Sequence, residues 1–289
     1  MPKVRLLVAA AVVAALAARP AAAEINVVDS LEWIAADSDA IVRGEVTAVA
    51  SRPGPGQVVW YDVTVRVDEA VKGAATGTLQ VTVRDLGALA PAAWQQQHRE
   101  LLLFLVHGAR RADDDPAFAR VGWTLRRGDG AALRLDGTAP DRAYTADFAV
   151  LDTRAAVLDA TRASAASAAR RSFRVDVPFD APAFKALWGG SAVWMYLPVD
   201  AHLEQRALGW VASPDVAVRA QAVAALAFFP GPRHTALLRR LLADPGFATV
   251  TASGQAPVRR YLVRAEAHRV LTRWRRRHPV PVIEEPATP

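Results

Sequence analysis

Six histidines, at positions 98, 107, 202, 234, 268 and 278, are the side chains of this sequence best suited to proton transfer or metal ligation. No two stand three or four apart, the spacing that would put two imidazoles on one helix face around an ion, so no metal site is expected. The run Asp113-Asp114-Asp115 offers oxygen ligands, yet it lacks the alternating ligand positions and closing glutamate of a calcium loop and suits a solvated turn before Pro116. The chain has no cysteine, which removes thiolate nucleophiles, disulfides and Cys-ligated zinc or iron–sulfur centres. Nucleophile-elbow, Walker and dinucleotide-glycine patterns are missing too, and Gly128-Asp129-Gly130 suits a hairpin turn. A secreted hydrolase or carbohydrate-active enzyme would need groups that only the fold brings together; Glu100, His98 and Asp147 are the candidates. No cofactor is expected.

The surface chemistry with the most character is basic. Arg259, Arg260, Arg264, Arg269, Arg273, Arg275, Arg276 and Arg277 crowd the C-terminal part, and Arg269, Arg273, Arg275, Arg276 and Arg277 are the candidate binding residues. Their partner class would be anionic lipid, polysaccharide or an acidic protein. The alternative is a solvated helix face whose last cations offset the negative helix end. Trp188, Trp194 and Trp210 allow a sugar-stacking platform or, alternatively, ordinary core packing.

Residues 1–23 begin with Lys3 and Arg5, pass through the apolar run from Leu6 to Ala18 and end in Ala21-Ala22-Ala23. That order of charge, short apolar run and small residues is a secretory signal peptide, with cleavage expected after Ala23; the alternative is a retained N-terminal anchor. The protein is therefore expected to be exported, periplasmic or extracellular, and not integral to the membrane once cleaved. The net charge of +6 falls accordingly: Lys3, Arg5 and Arg19 lie in the leader, leaving 32 cations against 29 carboxylates, a net +3. Charge at that level does not call for nucleic acid, and none is expected as a partner.

The elements that must position these residues divide the chain in three. In residues 24–150, Ser30 caps a short helix from Leu31. Strand patterns follow at 40–50, 61–67, 79–83, 101–106, 121–125 and 133–135, with Val63 and Val65 alternating against Asp62, Thr64 and Arg66. Several short strands joined by Gly, Pro and Asp turns favour a small closed barrel, because closure removes exposed edges. The segments DSLEWIAADSDAIVRGEV, VTVRVDEAVKG and HRELLLFLV resemble the N-terminal part of uncharacterised exported bacterial proteins and, more distantly, the OB-type barrel of netrin-like domains. Netrin-like inhibitors of metalloproteinases act through an N-terminal cysteine, which is missing here, so that activity is not implied.

Residues 151–200 form an α/β bridging segment: an Ala/Arg-rich helix or connector, a strand with Phe173, Val175 and Val177 on one face, a short helix, and a strand at 192–197. In residues 201–289, VRAQAVAAL at 218–226 returns as VRAEAHRVL at 263–271, 45 positions later. Val218, Ala222, Ala225 and Leu226 share one helix face, as do Val263, Ala267, Val270 and Leu271. This pattern resembles HEAT repeats, a family of scaffolds and adaptors rather than catalysts, and the resemblance implies a protein-binding surface. Two repeats are fewer than usual for a helical stack, so the four helices are expected to dock on residues 151–200 or on a partner. The expected fold class is α+β and multidomain: an OB/netrin-like barrel, an α/β bridge and a HEAT-like helical domain. The expected function is an exported binding or scaffold protein acting through protein–protein contacts on an envelope or extracellular partner. The alternatives are the dispersed-site enzyme and a peripheral binder of anionic surfaces.

Overall fold

The computed structural model describes residues 25–53, 58–84, 91–97, 99–127, 130–136, 141–177, 181–189, 191–251 and 256–287. The expected leader (residues 1–23), His98 and the Gly128-Asp129 pair expected in a hairpin turn lie outside the described residues. Strand β1 (Ile25–Asp29) leads into helix α1 (Leu31–Asp37), capped by the Ser30 hydroxyl, which accepts from the Trp33 amide at 3.2 Å. Then come β2 (Ala40–Pro53), β3 (Val59–Lys72), β4 (Gly77–Arg84), the short helix α2 (Pro91–Gln96), β5 (Glu100–His107) and β6 (Trp123–Leu125). These five strands pair in the order β2-β3-β4-β6-β5 and back to β2, all antiparallel except the parallel β4–β6 pair, and close a barrel. Its interior holds Val42, Val46, Val63, Val65, Val81, Leu101, Leu103 and Leu105, with Trp94 of α2 packed against them. In β2 the register shifts between Arg43 and Gly44, and a Cβ at Gly44 would stand 2.2 Å from the Arg66 carbonyl oxygen, so only glycine permits this approach of the two strands.

The continuous apolar run of β5 has a simple cause: both its faces are buried. Leu101, Leu103 and Leu105 point into the barrel, while Leu102 and Phe104 join a second core outside the wall with Leu31, Ile34, Leu133, Val157 and Leu158. That core is built from α1, from β7 (Ala132–Arg134) paired on β5, and, beyond the hairpin of β8 (Ala143–Tyr144) and β9 (Val150–Leu151), from α3 (Arg154–Ser164). Charged side chains tie α3 to the barrel. Glu100 accepts from Arg154 at 2.6 Å and Arg43 at 2.7 Å, and Glu69 accepts from Arg162 at 2.9 Å and Arg43 at 3.1 Å.

The remaining elements are β10 (Ser172–Asp176), α4 (Pro182–Ala186), β11 (Ala192–Pro198), α5 (Ala201–Trp210), α6 (Val216–Leu226), α7 (Pro232–Leu241), β12 (Ala248–Val250), β13 (Val258–Arg260), α8 (Leu262–Arg273) and β14 (Glu284–Pro286). β11 pairs antiparallel with β10 and parallel with β1. Residues 151–200 therefore serve two cores: α3 rests on the barrel, and β10 and β11 take up the first strand of the chain. The inner face of this sheet, with Phe173, Val175, Met195 and Leu197, packs against Leu203 and Ala207 of α5 and Val218, Ala222 and Ala225 of α6. Helix α5 packs on α6, α6 on α8 and α7 on α8. Asp200 and Asp215 cap α5 and α6, and Pro232 opens α7. Val218 and Val263 are both buried on helices that pack together. The three-residue strands β12, β13 and β14 make a small sheet interposed around α8, too short to leave a periodic trace in sequence.

Candidate functional site

The outer face of the β1-β11-β10 sheet mixes polar, aromatic and exposed aliphatic side chains, whereas the inner face is apolar. Alternation along β10 points Ser172, Arg174 and Asp176 outward, and along β11 it points Trp194 and Tyr196 outward. The Arg174 guanidinium lies 3.8 Å from the centre of the Trp194 ring, a cation–π contact that holds the cation flat on the sheet. Three grooves run across this face. The first, of about 540 Å³, reaches from Tyr196 and Ser172 past Val27 to Trp33, Asp37, Arg126 and Arg127 on the barrel side. The second, of about 500 Å³, shares Ser172 and Tyr196 with the first and runs past Arg174 to Gln221, Phe228, Arg269 and Arg273. The third, of about 400 Å³, shares Asp176, Gln221 and Ala224 with the second and continues between α6 and α8 past Ala217, Ala265, Glu266 and Arg260. The three grooves adjoin in series from the barrel to the last helix, each sharing wall residues with the next, and together they are termed the cleft.

Its walls are fixed by interactions that the fold supplies. At the barrel end Arg126, only 3% exposed in its side chain, donates to Asp29 at 2.7 Å and lies 3.2 Å from Asp37, joining β1 to the barrel. In the middle, the Gln221 amide oxygen accepts from the Asp176 backbone amide at 2.6 Å, so α6 covers the end of the β10 edge. Small side chains on α6, Ala217, Ala220 and Ala224, leave the floor open between the helices. At the far end Glu266 holds the Arg269 guanidinium above its ordinary range by a direct hydrogen bond.

The five candidate arginines divide into two groups. Arg269 and Arg273 line the cleft on α8. Arg275, Arg276 and Arg277 are exposed beyond the helix end, outside the cleft walls. Of the tryptophans, Trp210 is buried and Trp188 packs against the same core, whereas Trp194 lies outward under Arg174; they do not form a common platform.

Of the residues suggested for an enzyme, His98 lies outside the described residues, and Glu100 and Asp147 belong to separate networks. Glu100 is clamped between Arg154 and Arg43, which hold its carboxyl down at about 2 and leave it no proton to give. Asp147 sits instead on the β8–β9 turn, where it accepts from Arg206 at 2.7 Å and lies 3.1 Å from His202. Both contacts use the same carboxylate oxygen, and the turn is further held by Glu32, which accepts from the Ala146 amide at 2.7 Å and whose carboxyl burial pushes upward. Phe148 adopts φ 61°, a left-handed conformation rare for an aromatic residue, and is packed against Phe184 and under Arg206. The arrangement interlocks α1, the hairpin and α5. The Asp113–Asp115 run behaves as a turn: Asp114 pairs with Arg111 and Arg127, and Asp115 caps a 3-10 turn at Pro116–Arg120. Among the described residues no group of three or more His, Asp or Glu could hold a metal ion, and no helix is long and apolar enough to cross a membrane.

Arg174, Tyr196 and Gln221 escaped the sequence reading. The available signal was the outward register of β10, since Phe173, Val175 and Val177 on one face require Arg174 and Asp176 on the other. Comparison with family models, with characterised proteins and with solved structures finds no match to this chain.

Proposed function

We propose that this chain is an exported binding protein that takes an extended segment of a partner protein into the cleft across its outer sheet face. The observation that carries this reading is the adjacency of the three grooves, which share walls at Ser172 and Tyr196 and again at Asp176, Gln221 and Ala224. Aromatic side chains line the first two grooves and arginines line all three, the residue types that dominate binding energy in protein interfaces. Tyr196 and Phe228 supply apolar area; Arg174, Arg269 and Arg273 favour acidic side chains on the partner. The helical part supports a HEAT-type reading through its 45-residue repeat and the α6–α8 packing, with an inner helix of each pair lining the cleft. The barrel's strand order, its single parallel closure and the helix before its fourth strand support an OB-type reading. Residues 1–23 supply the export signal in this reading.

The test is capture of a partner from the cell envelope with tagged wild type and with an Arg174→Glu/Tyr196→Ala variant. One partner recovered in stable amount by the wild type and lost by the variant, at unchanged thermal unfolding, is expected. Equal recovery by both proteins contradicts the cleft as the binding surface.

A further inference from the structure

The chain that leaves α8 carries a second group of exposed side chains: its Ile283 lines the third groove, but Arg275, Arg276, Arg277, Val280 and Val282 line none of the three. Arg275 turns it in the left-handed region, φ 55°, where glycine is usual at a helix end. Arg275, Arg276 and Arg277 stand exposed, and no described carboxylate forms an ion pair with any of them. Arg239, in the last turn of α7, donates to the Arg277 carbonyl and brings a further exposed cation alongside. The chain then runs back along α8 as His278-Pro279-Val280-Pro281-Val282-Ile283, anchored where the Ile283 carbonyl accepts from the Tyr261 amide at 2.9 Å. On this anchored stretch Val280 is 83% and Val282 57% exposed, the two most exposed large apolar side chains among the described residues.

We propose that this surface docks on an anionic phospholipid bilayer, the arginines meeting lipid phosphates while Val280 and Val282 enter the boundary between headgroups and acyl chains. Two observations favour a bilayer over a second protein chain. Pro279 and Pro281 remove the amide donors from one edge of the segment, which leaves strand pairing to its other edge alone. A bilayer surface asks for no directional partner: it takes aliphatic side chains by their apolar area and cations by their charge. Export would deliver the chain to such a surface, but the binding requires only the exposed groups named.

The experiment is flotation of the purified protein with vesicles of phosphatidylcholine alone and of phosphatidylcholine with phosphatidylglycerol, at low and high salt. Wild type should float with the anionic vesicles only and release as salt rises. An Arg275→Glu/Arg276→Glu/Arg277→Glu variant should not float. A Val280→Ser/Val282→Ser variant should bind roughly tenfold more weakly, with salt sensitivity retained. All the substituted side chains are exposed, and matched thermal unfolding confirms that the variants fold. Failure of wild type to float at low salt overturns the proposal. So does unchanged binding by the valine variant, which would mean charge adsorption without insertion, and so does loss of a captured protein, rather than of vesicles, on tail substitution.

Discussion

Arg219 and Arg264 stand 45 positions apart, at matching places in the repeated segment, and both guanidinium groups end on Asp244. Arg219 forms a two-pronged pair with the Asp244 carboxylate at 2.9 and 3.1 Å, and Arg264 donates to the Asp244 carbonyl oxygen at 2.6 Å. The Asp244 side chain is 8% exposed, and Arg219 is the cation paired with it. Arg219→Ala should destabilise the protein by about 3 kcal/mol, because it leaves a buried carboxylate without its cation, whereas Arg264→Ala, which frees the Asp244 and Val282 carbonyls and removes a cation–π contact with Tyr261, should cost about 1–2 kcal/mol. Urea unfolding of both variants checks the order; equal effects would mean that Asp244 is not the common anchor. The repeat was legible as matching valines, alanines and leucines. That its two arginines share one acceptor was not, since Asp244 lies between the copies and belongs to neither.

At the scale of elements, α3 is the instructive case. Its apolar stripe is weak, and from sequence it suits a connector as well as a docked helix. The structure docks it through Val157 and Leu158 and through the Arg154 and Arg162 pairs with Glu100 and Glu69. Charge pairing between residues 54 and 93 positions apart leaves no local signal. Because Arg154 and then Arg43 hold the Glu100 carboxyl at about 2, against an ordinary 4.5, this carboxylate stabilises the folded state above its ordinary value and loses that contribution as pH falls toward about 2. Replacing it by Gln should cost about 1–2 kcal/mol near neutral pH, discounted for partial exposure. The gap in melting temperature between wild type and Glu100→Gln should be constant above about pH 5 and close on acidification below about pH 4. A gap that widens in acid would contradict the clamp. The barrel strands, by contrast, were legible as elements, since alternation with period two is local; that β4 and β6 would meet in parallel to close them was not.

For the molecule as a whole, β1 is what makes the parts one surface. It pairs with β11, with Ile25 opposite Ala192, and its Asp29 reaches Arg126 of the barrel. No pattern in residues 25–29 announces a partner so far along the chain. The cleft was hidden for the same reason: it is assembled from the outward faces of β10 and β11 and from two helices of the repeat, and each contributes polar positions that look like ordinary solvent-facing ones. Arg269 and Arg273 were legible because they belong to a charge cluster; Arg174 and Tyr196 become functional candidates only when the sheet lays them beside that helix. The most direct measurement is photo-crosslinking in the living cell from single sites at Tyr196 and Ala224, which line the cleft, and at Asp159 on α3, whose side chain is 75% exposed outside it. Adducts of one common mass from both cleft sites and none from Asp159 are expected. Equal labelling at all three sites, or adducts from Asp159 alone, would contradict the cleft as the surface through which this protein works.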